Sequence, residues 1–145
     1  MKTKNKFFFI TVLFLITINS YFYLKPYFLT PVNNVINVDA EHRLTANELV
    51  SNFNNDEAIS KKRYSGKVVE ISGIIKEINF LNDRTTIILK SDSENFGVIC
   101  DINPNQKENI NQLKQNQNIT VKGICKGFLK DVILLNCNFT LSTDE

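Results

Sequence analysis

Polar and apolar positions along the chain fall into three regimes. The first is an uncharged run of 18 residues, Phe7 to Leu24 (FFFITVLFLITINSYFYL), fenced by Lys6 and Lys25. It has no polar face, which argues against a helix half-buried in a globular core. As a helix it would reach roughly 27 Å, enough to cross a thin hydrocarbon layer. The second regime, residues 45 to 63, has helical spacing. Thr45 and Glu48 stand as a capping box, and Leu49, Val50, Phe53, Ala58 and Ile59 form a narrow apolar stripe. This predicts one helix from Thr45 to about Arg63, ended by Ser65-Gly66.

The third regime alternates with period two. Strands are predicted over Lys67–Phe80, Arg84–Lys90, Phe96–Ile102, Asn118–Cys125 and Val132–Phe139, with a short helix between Pro104 and Asn116 that presents Ile110 and Leu113. In the first strand Val69 and Ile71 share one parity, and Ile74, Ile78 and Phe80 the other. Gly73 sits at the switch and is the expected bulge or bend. A long bent first strand, five strands in all and a helix between the third and fourth describe a mainly β protein with an OB-fold barrel, while a five-stranded sheet of another topology fits the same order. The organisation expected is a basic N-terminus (1–6), the apolar run (7–24), a linker (25–43) marked by Pro26, Pro31 and Asn33-Asn34, the barrel domain (44–140) and a short tail (141–145).

Charge refines this picture. The formal net charge is +2, but Lys2, Lys4 and Lys6 precede the apolar run. Without them 14 basic residues face 15 acidic ones, so the domain carries about −1. Nucleic-acid binders carry a basic face, so nucleic acid is disfavoured as a partner. The leading lysines instead orient the run, with the N-terminus inside and the domain outside the cytoplasmic membrane. The run is read either as an uncleaved single-pass anchor or as a cleaved signal that releases a secreted domain. Its length and the large Ile18 where a small residue is required favour the anchor.

The residues also resemble a known family. K-x-x-x-x-x-G-x-I from Lys67 to Ile75, V-K-G-x-C-x-G-F from Val121 to Phe128, D-V-x-L-x-x-C from Asp131 to Cys137 and the junction Tyr64-Ser65-Gly66-Lys67 are similar to the tRNA-anticodon-like OB-fold family. Members are small bacterial proteins, exported or lipid-anchored. The resemblance covers about Leu44 to Phe139 and implies a barrel but no activity. Two departures stand out: the chain lacks the lipid-attachment cysteine, and it has Asp56-Glu57 where the family favours Asn-Glu.

Candidate chemistry is sparse. His42 is the sole histidine, and Cys100, Cys125 and Cys137 lack the paired short spacing of a zinc site. No metal, cofactor or catalytic group is expected. Cys100 and Cys137 could form a disulfide if strands three and five are neighbours; buried free thiols fit as well. OB barrels bind ligands through the loops joining strands one to two and four to five. Here these carry Phe80, Asn82 and Arg84, and Lys126, Phe128 and Lys130. Phe80 and Phe128 either stack on a ligand or plug the ends of the barrel, and plugging is the preferred reading. The function expected is a membrane-tethered, extracytoplasmic binding module for an envelope protein, peptide or saccharide; the alternative is single-stranded nucleic-acid binding.

Overall fold

The computed structural model describes residues 12–20 and 35–141. Half of the transmembrane segment expected over Phe7 to Leu24 lies outside them; its described part, residues 12–20, is helical. Among the described residues no helix is long and apolar enough to cross a membrane. The chain divides into two compact units, Met1–Val32 and Asn33–Glu145, and the barrel occupies the second.

The barrel unit runs β1 (His42–Thr45), α1 (Ala46–Asn55), α2 (Glu57–Tyr64), β2 (Val68–Leu81), β3 (Arg84–Lys90), β4 (Gly97–Ile102), α3 (Lys107–Ile110), β5 (Asn118–Phe128) and β6 (Val132–Leu141). Single 3-10 turns precede β1 (Val35–Asn37) and α3 (Pro104–Gln106). Strands pair in the order β1-β2-β3-β4-β6-β5, and β2 also pairs with β5. That second pairing closes β2-β3-β4-β6-β5 into a five-stranded barrel of OB topology, with β1 added parallel to the first half of β2. Val69, Ile71, Ile75, Ile87, Leu89, Val98, Ile119, Val121 and Leu134 fill the interior and are fully buried.

Four local features depart from the pattern-based reading. The helix expected from Thr45 to Arg63 is two helices. Asn54, Asn55 and Asp56 are weak helix formers, and Asp56 takes an extended conformation (φ −153°) while its carboxylate accepts the Ile59 N–H at 2.9 Å to cap α2. The capping box itself is present: Thr45 Oγ1 accepts from the Glu48 N–H at 3.2 Å, and Glu48 accepts from the Thr45 N–H at 2.7 Å.

The second departure is the facing switch in β2. The pairing slips between Ile75 and Glu77, so the bulge falls at Lys76 and not at Gly73. Ile75 is consequently in the core at 0% exposure, and Ile74 points to solvent at 44%. Gly73 is small for another reason: a Cβ there would stand 3.0 Å from the Ala46 Cβ, where α1 begins against the strand.

Third, the helix expected between Pro104 and Asn116 is reduced to a 3-10 turn and one α turn, although Ile110 and Leu113 are buried as expected. Last, the barrel takes in residues placed before Leu44. His42 and Arg43 belong to β1, and Val35 is 1% exposed against Val68 and Ile124. The Lys122 ammonium holds this N-terminal turn by donating to the carbonyls of Ile36 (3.4 Å) and Val38 (3.1 Å).

Candidate functional site

The β2–β3 connection is a two-residue loop. Asn82 (φ +48°) and Asp83 (φ +62°) both occupy left-handed backbone, the geometry of a type I′ turn, whose twist matches that of the flanking strands. Such a tight loop throws the strand ends out as a hairpin tip. Phe80 is 66% exposed and Leu81 73%. Together with Asn82, Asp83, Arg84 and Thr85 they face Ile110 and Asn111 across a pocket of about 350 Å³. Arg84 donates to Asp101 on β4, and this bond holds the guanidinium in its charged form.

The β5–β6 connection is built differently. β5 continues to Phe128, so Lys126 and Phe128 are strand residues and only Leu129 to Asp131 turn the chain. The ring of Phe128 stacks on Phe53 of α1 (5.7 Å, 20° between planes) and meets Phe96 edge-on at 5.8 Å. It plugs that end of the barrel. Lys126 and Lys130 are exposed. Asp131 accepts the Gly97 N–H at 2.7 Å and so pins the turn to β4.

The two phenylalanines therefore separate: Phe128 is packed structure, and Phe80 is open surface beside Asn82 and Arg84. The two connections lie at opposite ends of β4, because Ile102 pairs near the hairpin and Gly97 lies beside Asp131. Between them, the outer face of β3, β4 and β6 carries a half-buried aliphatic row, Ile88–Ile99–Ile133. An OB face that stacks bases would show aromatics there; this row is aliphatic.

Cys100, Cys125 and Cys137 are free thiols and fully buried, so the disulfide weighed between Cys100 and Cys137 is not formed in the structure. β4 and β6 are neighbours, as that pairing required; Cys137 stands opposite Ile102, two residues along from Cys100, and the two thiols interact without being bonded. Burial pushes the Cys125 thiol up to about 11 and holds Cys137 well above its ordinary value. Thiolate, the reactive form, is thus scarce at pH 8. Native protein should resist iodoacetamide at that pH and take up three labels once unfolded without reductant; two fewer labels would restore the disulfide. Among the described residues no cluster of His, Cys, Asp and Glu could hold a metal ion.

Barrel topology, capped end and projecting hairpin define an OB-fold domain. The chain belongs to the tRNA_anti-like family, whose pattern matches residues 1–139. Among solved structures it is similar to a "putative nucleic acid-binding lipoprotein" from Klebsiella pneumoniae, at 13% identity and a TM-score of 0.56, covering 67% of this chain and 90% of that one. It is also similar to a chain of the S. pombe Stn1–Ten1 complex (15% identity, TM-score 0.45), of which it spans 59% while 53% of its own length is matched. A further similarity is to asparaginyl-tRNA synthetase from Pyrococcus horikoshii (13% identity, TM-score 0.46), covering 55% of this chain and 20% of that one. No curated protein matches the sequence.

Proposed function

We propose that this chain is a membrane-tethered binding module that presents its OB barrel outside the cytoplasmic membrane and engages an envelope protein, peptide or saccharide through the β2–β3 hairpin. One observation carries the reading: Phe80 and Leu81 are largely exposed beside a pocket, in the connection that OB domains use for ligands. Exposed aromatic and aliphatic anchors next to a pocket are the usual seat of binding energy in interfaces. The near-neutral charge of the domain, and the pairing of Arg84 with Asp101, leave little for a phosphate backbone to bind. The outward location rests on the apolar run and its leading lysines. The Klebsiella structure is named a lipoprotein, which agrees with an extracytoplasmic setting.

The test compares cross-linked membranes from cells carrying the wild-type chain with those carrying the double variant Phe80→Ala, Leu81→Ala. A specific partner should be recovered with the former and fall by about ten-fold or more with the latter, the effect of losing a hot spot. The unfolding free energy should change by no more than about 0.5 kcal/mol, as for exposed positions generally. Equal recovery from both would remove the hairpin from the binding surface. Salt-dependent binding of single-stranded oligonucleotides by the full chain would replace this reading with the nucleic-acid one. Intact mass of the mature chain decides between a retained anchor and a cleaved signal.

A further inference from the structure

The hairpin has an open edge. β2 is paired with β5 from Val68 to Ile74, and with β3 from Ile75 to Leu81. On the side that β5 leaves, Ile75 still exchanges hydrogen bonds with Gln117 and Asn116, both at 2.9 Å. Beyond it, among the described residues, no strand pairs with that side of residues 76–81.

The turn fixes which groups face this edge. A two-residue I′ loop closes on a pair that exchanges both backbone hydrogen bonds, here Leu81 and Arg84. Pairs alternate along an antiparallel ladder, so Asn79 and Thr86 form the next bonded pair. Phe80 and Ile78, on either side of Asn79, are the non-bonded positions and turn their N–H and C=O away from β3. The edge thus presents two donors and two acceptors at the roughly 6.8 Å two-residue repeat of a strand. Glu77, Asn79, Phe80 and Leu81 along it are exposed, and Ile78 is half-buried with its side chain against the core. Alongside it lies the pocket whose far wall is Ile110 and Asn111.

We propose that an extended peptide segment of a partner protein adds as a strand to residues 77–81 of β2, bonding through its backbone to Ile78 and Phe80 and seating an apolar side chain between Phe80 and Ile110. This rests on the hairpin being the binding surface, and it adds the ligand class and the geometry. The spacing of donors and acceptors is that of a peptide backbone, and strand addition is an established mode of peptide capture. The wall chemistry agrees, because Phe80, Leu81 and Ile110 offer apolar contact while Arg84 is already engaged by Asp101. Lys76 at the start of the edge is the kind of charged residue that keeps open edges from pairing without limit.

The probe is a peptide selected from a random displayed library on the full chain in detergent, then resynthesised with its backbone amides N-methylated one position at a time. Strand addition predicts losses of about ten-fold at alternate residues and small losses between them. On the protein side, Phe80→Ala removes the ring and keeps the N–H; Phe80→Pro removes both. That N–H points away from β3, so the ladder survives either change. Phe80→Pro should bind the peptide about ten-fold more weakly than Phe80→Ala. Should Phe80→Pro fail to fold, the N-methyl scan decides alone. Losses without alternation, or equal binding by the two variants, would overturn strand addition while leaving the hairpin as the binding surface. A library that yields no peptide overturns strand addition too, and the membrane comparison above then judges the surface independently. Wild-type affinity in both variants would overturn both.

Discussion

Replacing Phe53 with alanine should lower the unfolding free energy by about 3–5 kcal/mol, the cost of emptying a large aromatic site in a core. Phe53 is 1% exposed and is the largest buried side chain of α1, beside Leu49 and Val50. Its ring meets two other elements: it stacks on Phe128 of β5 and lies tilted against Tyr64 of α2 at 5.9 Å. Tyr64 in turn packs edge-on against His42 of β1 at 5.1 Å. Losing the ring leaves a void and frees Phe128, the plug of that barrel end. Domains of this size hold about 5–15 kcal/mol in all, so the variant should unfold at a much lower urea concentration. Phe53→Leu should cost less, because it retains most of the volume. A loss under about 1 kcal/mol for the alanine variant would show that α1 does not close the barrel as described.

Gly123→Ala should cost about 1–3 kcal/mol by overpacking. Gly123 lies in β5 opposite Val69 of β2, and a Cβ there would fall 2.6 Å from the Cys137 Sγ and 3.2 Å from the Leu135 carbonyl oxygen. Cys137 is fully buried and has nowhere to swing. The clash has a specific remedy. In the double variant Gly123→Ala, Cys137→Ala the thiol is gone, and the pair should be more stable than the sum of the single effects by about 1 kcal/mol, a coupling that urea titration resolves. Strict additivity would mean that the Leu135 carbonyl, and not the sulfur, is the obstacle.

The strands were legible because each has one buried face, and alternation reports that directly. Val98, Cys100 and Ile102 alternate in sequence and line the interior in space. The bulge in β2 was visible as a parity change but misplaced by three residues. Ile74 and Ile75 are adjacent and chemically identical, so only the pairing with β3 decides which of them faces inward. The break at Asp56 was obscured because Glu57 continues the helical spacing; the extended backbone of one residue carries no periodicity. For Phe80 and Phe128 the sequence offers the same signal, a phenylalanine at a strand end. What separates them is coverage from far along the chain: Phe128 meets Phe53 and Phe96, whereas Phe80 is left beside Ile110 at the rim of a pocket. The open edge of β2 was illegible for a related reason. It is a missing neighbour, and absences of pairing leave no trace in a hydrophobic pattern.

β2 belongs to two partnerships of very different reach. Its second half joins β3 through a two-residue turn, while its first half must find β5, with Val68 paired to Ile124 across most of the domain. Closing a short loop costs little chain entropy and closing a long one costs more, so the hairpin forms readily and the β2–β5 seam last. Folding then falls on the millisecond-to-second scale of non-local β proteins, with the seam completed after the rate-limiting step. In the interval the chain holds a formed hairpin on an unclosed sheet. Destabilising the hairpin core at Ile78 or Ile87 should slow folding, whereas weakening the seam at Ile71 or Val121 should chiefly hasten unfolding.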